Sequence, residues 1–82
     1  MPVFKTSNLQ LAIFLSAKDN QVRGIDAGDP MRKEFRFEMT AELESLVEIY
    51  RFGKHDEPEL LVNVKALEQA RTNLLDLLNG KL

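Results

Sequence analysis

The chain has no cysteine and a single histidine, His55. Without cysteine there is no disulfide, no thiolate metal ligand and no thiol nucleophile. The lone histidine leaves no H-x-x-x-H pair, and neither a D-x-D nor a G-x-S-x-G pattern occurs. Glycine is scarce too. Gly24 and Gly28 stand four apart with no third glycine and no Lys-Ser or Lys-Thr after them, so no phosphate cradle is present. A basic excess is also missing: 11 Lys and Arg against 13 Asp and Glu leave a net charge of −2, with the two signs interleaved. The broad positive field of a nucleic-acid binder is therefore absent, although a local patch is not excluded. The longest apolar stretch is about half of a bilayer span, so no segment reads as membrane-crossing. The N-terminal MPVFKTSN lacks the basic-then-apolar pattern of an export signal. These absences lead to the expectation of a cytoplasmic protein with no cofactor, no metal and no membrane contact.

What is present is a small globular composition. Of 82 residues, 44% are hydrophobic and 29% charged, which is ordinary for a soluble domain. That length holds one domain, residues 1–82. A chain this short buries only roughly 60–65% of the surface it exposes when unfolded. Its core is thin, and a homodimer is one way to supplement it.

The most informative stretch is MRKEFRFEM, residues 31 to 39. Met31, Phe35, Phe37 and Met39 share one parity; Arg32, Glu34, Arg36 and Glu38 share the other, alternating in sign. Side chains on a strand point to opposite faces with period two, so this segment reads as a strand with one dry and one charged face. Upstream, Val22, Gly24 and Ile25 give a weaker strand over residues 21 to 27, with Gly24 a candidate bulge. Ala27-Gly28-Asp29-Pro30 reads as the turn between the two, too long for a tight two-residue connection. Val3 to Lys5 is a short edge strand.

Three helices follow from periodicity and capping. Ser7-x-x-Gln10 has the form of a capping box, and the apolar run from Leu9 to Ala17 has no polar side, as expected of a buried central helix. Lys18-Asp19-Asn20 ends it. Thr40 caps a helix over 41 to 52, with Leu43, Leu46, Val47 and Tyr50 in one stripe and Gly53 as the stop. The last third allows a single helix from 57 to 79, or a short strand at Glu59 to Val62 followed by a helix from 64 to 79 capped by Asn63. The second reading is preferred. Leu67, Ala70, Leu74, Leu77 and Leu78 form the buried stripe, and Gly80 is the stop. The fold class is α+β, in the order β-α-β-β-α-(β)-α: a small antiparallel hairpin sheet with three helices on one face. The expected core is Ile13, Phe14, Phe35, Phe37, Met39, Leu43, Leu46, Val47, Leu67 and Leu74.

The order of these motifs is similar to that of a known family. F-K-T-S-N-L-x-L-A at Phe4 to Ala12, L-x-A-K at Leu15 to Lys18 and F-x-F at Phe35 to Phe37 resemble a family of short bacterial proteins catalogued as a domain of unknown function. The acidic helix running into Tyr50 to Gly53, and Leu61-Val62-Asn63 before the last helix, fit the same pattern. The resemblance covers nearly the whole chain. It implies this fold, with the break at Asn63, and no activity.

Three functional readings remain. The first is a non-enzymatic protein-interaction module or homodimer. Leu60, Leu61, Val62 and Val64 crowd the start of the last segment, while Leu74, Leu75, Leu77, Leu78 and Leu82 crowd its end. Leu75 and Leu82 fall off the stripe. Leu60, Leu61, Val62, Leu75 and Leu82 are the candidate interface, and an edge strand at 21 to 27 is a further one. The alternative is a weak nucleic-acid binder using Arg23, Arg32 and Arg36 on the sheet face, helped by Lys5 and Lys18. Glu34 and Glu38 on that face oppose phosphate and offer a plain account as ion pairs on a solvated sheet. The third is an enzyme or metal site around His55, Asp56 and Glu57. Nothing else converges on that loop, and the expectation is no enzyme. Glu42, Glu44 and Glu48 have helical spacing suited to carboxylate pairs, which an exposed helix face carries anyway.

Overall fold

A computed structural model describes residues 2–29, 32–53 and 58–79. In chain order the elements are β1 (Val3–Thr6), α1 (Leu9–Ala17), β2 (Val22–Asp29), β3 (Arg32–Glu38), α2 (Ala41–Phe52), a 3-10 turn (Pro58–Leu60) and α3 (Val64–Leu78). The three strands form one antiparallel sheet in the order β1-β3-β2. The hairpin arm read from residues 31 to 39 is therefore central, and β1 and β2 are the two edges. The α+β class stands.

Parity on β3 sets the layers. Phe35 and Phe37 are buried, in one cluster with Leu11 to Leu15 of α1, Leu43, Leu46 and Val47 of α2, and Ala70 and Leu74 of α3. The opposite face carries Arg36, which is exposed, with Glu34 and Glu38 partly so. α1 has consecutive buried residues from Leu11 to Leu15 because it touches α2, α3 and β1 at once; a helix without a polar side needs neighbours all round.

β2 reaches the same core by breaking its own period. Val22 pairs with Phe37, but the next pairing is Gly24 with Arg36, so β2 advances two residues while β3 advances one. This is a β-bulge at the expected glycine. Without it Val22 and Ile25, three apart, would face opposite sides. With it both pack against the core, opposite Phe37 and Phe35. Gly24 has φ 149°, a value that residues with a Cβ rarely adopt.

Four sequence expectations need correction. The hairpin turn does not occupy 27 to 30: β2 continues to Asp29, which pairs with Arg32, leaving only residues 30 and 31 between. A second register shift between Asp26 and Asp29 absorbs the extra length. The cap of α1 is Asn8, not Ser7. Its side chain accepts from the Leu11 N–H at 3.2 Å, while Thr6 Oγ1 accepts from the Asn8 N–H at 3.1 Å. Glu59 to Val62 is not a strand, because Pro58 to Leu60 winds into the 3-10 turn. The break at Asn63 holds, however: its Oδ1 accepts from the N–H groups of Lys65 and Ala66 at 2.9 and 3.2 Å. Leu67 is outside the core at 39% exposure, and Met39 is only half-buried. Met31, His55, Asp56, Glu57, Gly80 and Leu82 lie outside the described residues.

Candidate functional site

The charged sheet face is assembled by register. Lys5 lies opposite Arg36, and Gly24 flanks Arg36 on the other side. The Arg36 guanidinium lies over the bare Cα of Gly24: a Cβ there would stand 2.8 Å from Nη2. Lys5 Nζ reaches Asp26 Oδ2 at 2.7 Å, spanning from one edge strand to the other. Arg23 Nη2 meets Glu38 Oε2 at 3.4 Å. Both pairs are more than a third exposed, so each is worth about 0–1 kcal/mol.

Of the arginines named for nucleic acid, Arg23 is thus already engaged by Glu38. Arg36 is exposed and belongs to neither ion pair found among the described residues. The backbone of Arg32 lies in β3; its side chain is outside the description. Pro2, Val3, Arg23, Arg36 and Glu38 line a shallow groove on this face. Lys18 is occupied elsewhere. Its Nζ donates to the Leu61 carbonyl at 2.7 Å and sits 6.0 Å from the centroid of the Phe14 ring. Phe14 in turn packs on Tyr50, ring centroids 5.3 Å apart.

That lysine bond anchors the segment entering α3, where the leucine-rich candidates lie. Leu60 and Val62 turn inward and pack against the core, whereas Leu61 between them is 71% exposed. Leu75 is half-buried. The structure adds Val64, 67% exposed, and Leu67 to Leu61. Val64 and Leu67 are one turn apart and so are neighbours on the helix surface. Leu67 shares its face with the fully buried Leu74, seven residues or nearly two turns away. Its exposure is therefore not a matter of helix rotation: the core ends before the first turns of α3. At the head of α3, Leu61 just ahead of the Asn63 cap and Val64 and Leu67 on the first turn are left exposed.

A second uncovered apolar place went unnoticed in the sequence. Phe52, the last residue of α2, is 82% exposed, and with Phe4, Met39 and Val47 it lines a groove beside β1. It lies off the Leu43, Leu46, Val47, Tyr50 stripe, where periodicity gives no reason to look. Val3 on β1 is also exposed.

No group of three or more His, Asp or Glu is placed to hold a metal among the described residues. Glu42, Glu44 and Glu48 all face solvent on α2. No helix among the described residues is long and apolar enough to cross a membrane. No family model matches the chain, and no curated protein or solved structure matches it either.

Proposed function

We propose that this chain is a non-enzymatic interaction module that works by contact with another protein surface. The supporting observation is the head of α3, where Leu61, Val64 and Leu67 stay in solvent although the helix they begin is anchored in the core. Full burial of an exposed Leu or Val side chain contributes about 1.5–3 kcal/mol, less for Leu67, which is only 39% exposed, and grouped exposed apolar residues mark contact sites. The lysine bond from Lys18 to the Leu61 carbonyl holds this head in place, which lowers the ordering cost of docking.

A photoreactive residue tests the reading when it replaces Val64 and, separately, Gln69. These positions lie on different sides of α3, because Gln69 is two residues from Leu67 and so faces away from it. The expected result is one discrete adduct from position 64, lost when Leu61→Glu and Leu67→Glu are introduced together. Equal labelling from both positions, or none from 64, contradicts the reading.

The alternative, weak nucleic-acid binding, has Arg36 in its favour, exposed and outside both ion pairs. Recruiting Arg23 or Lys5 requires breaking their bonds to Glu38 and Asp26. Its test is the slope of log affinity against log salt, which is steep for true phosphate contacts. Binding unaffected by Arg36→Glu removes this alternative.

A further inference from the structure

β1 is an edge strand of the sheet, with one side uncovered. One hydrogen bond fixes which of its backbone groups face outward. The Met39 N–H donates to the Pro2 carbonyl at 3.0 Å, and Val3 pairs with Glu38, Phe4 with Phe37, Lys5 with Arg36 and Thr6 with Phe35. In an antiparallel ladder, residues whose N–H and C=O face the neighbouring strand alternate with residues whose groups face away. If Pro2 bonds toward β3, so do Phe4 and Thr6. The N–H and C=O groups of Val3 and Lys5 then point out of the sheet, on the side where β1 has no neighbouring strand.

We propose that this chain forms a two-fold symmetric dimer by antiparallel pairing of β1 with β1 of a second copy. The proposal rests on the interaction reading above only in taking the chain to work by protein contact; it names a second copy as a partner and β1 as a surface distinct from the head of α3. The register follows from the free groups. Val3 pairs with Lys5 of the second copy, and Lys5 with its Val3, each pair exchanging both backbone bonds. Phe4 meets its own counterpart at the two-fold axis, in the non-hydrogen-bonded position where side chains are closest. Such an interface is self-complementary, as two-fold symmetry demands.

The side chains agree with that register. Phe4 is half-buried on the core side and shares its groove with Met39, Val47 and the exposed Phe52, and with Glu44, Glu48 and Arg51. A second β1 alongside extends the sheet under that groove and brings both copies of it together. On the outer face Val3, half exposed, lies beside the stem of the opposing Lys5. Lys5 would repel its counterpart if it were free, but Asp26 neutralises it at 2.7 Å. The other edge is unsuited. β2 carries two register shifts, and bulges of this kind are a common way to block edge pairing. β1 pairs with β3 without any shift.

The test is sedimentation equilibrium over a wide concentration range, with amide hydrogen exchange on the same samples. The wild-type mass is expected to rise from the 9.4 kDa monomer toward twice that value, with the Val3 and Lys5 amides becoming protected as it rises. Lys5→Pro removes an edge donor that the intramolecular ladder does not use, and edge strands tolerate proline there. It should keep the chain monomeric over the whole range with unchanged circular dichroism. Phe52→Ser, at a solvent-exposed position, should weaken association about tenfold without touching β1. A dimer that survives both variants but is lost on Leu61→Glu with Val64→Glu overturns the edge proposal and leaves the interaction reading intact. A strict monomer with freely exchanging Val3 and Lys5 amides overturns it outright.

Discussion

Gly24→Ala is expected to destabilise the fold by about 1–3 kcal/mol, the usual cost of holding a residue with a Cβ in a sparsely populated backbone region. Its φ of 149° is the source of that cost. The new Cβ also falls 2.8 Å from Nη2 of Arg36, but that atom ends a long, exposed side chain and moves aside cheaply. Glycine loses more chain entropy on folding than alanine, and where the backbone suits alanine that difference favours it by about 0.4–1 kcal/mol. Here the backbone does not suit it, so the net effect stays unfavourable. For a domain of this size each kcal/mol lowers Tm by about 4–8 °C, and thermal melting by circular dichroism resolves it. Combining Gly24→Ala with Arg36→Ala separates the two causes: the loss should persist, because it comes from the backbone. An unchanged or raised Tm for Gly24→Ala refutes the claim that the bulge needs glycine. Full rescue by Arg36→Ala refutes the backbone origin.

Further predictions concern α3 and the sheet face. Leu74→Ala should cost about 2–5 kcal/mol in urea denaturation, as for a buried leucine, whereas Leu67→Ala, on the same helix face, should cost under about 1 kcal/mol. Comparable losses at the two sites contradict an exposed α3 head. Asn63→Ala removes a cap that accepts from two N–H groups and should lower stability by about 1 kcal/mol, while Asn63→Ser restores most of it. Glu38→Gln breaks the exposed pair with Arg23 and should change stability by less than about 1 kcal/mol; a larger loss shows that the pair does more than neutralise a solvated face.

Period and capping made much of this legible. Phe35 and Phe37 declared their face because a regular strand alternates, and α2 ran from its Thr40 cap to Gly53 as read. Where the chain departs from regularity, the reading failed. β2 reads as a weak strand because its bulges put Val22 and Ile25 out of phase, and only the pairing with β3 shows them on one side. Ser7 and Asn8 are both competent caps; the choice depends on Thr6, whose buried hydroxyl takes the Asn8 N–H. Leu60, Leu61 and Val62 alternate in and out as a strand would, although Pro58 starts a 3-10 turn. Leu67 shows the limit of periodicity most plainly. Helical phase states which face it shares, but not how far along the axis the core extends. The same limit left Leu67 out of the α3 head. The pairing of Arg23 with Glu38, which sets the fate of the charged face, became visible only with the sheet register.

The central proposal is that the chain, left with an uncovered β1 edge, pairs through it with a second copy of itself. Sedimentation equilibrium of the unaltered chain from micromolar to millimolar concentration tests it most directly. The account predicts a mass that climbs from 9.4 kDa toward twice that value. A constant 9.4 kDa over the whole range contradicts it.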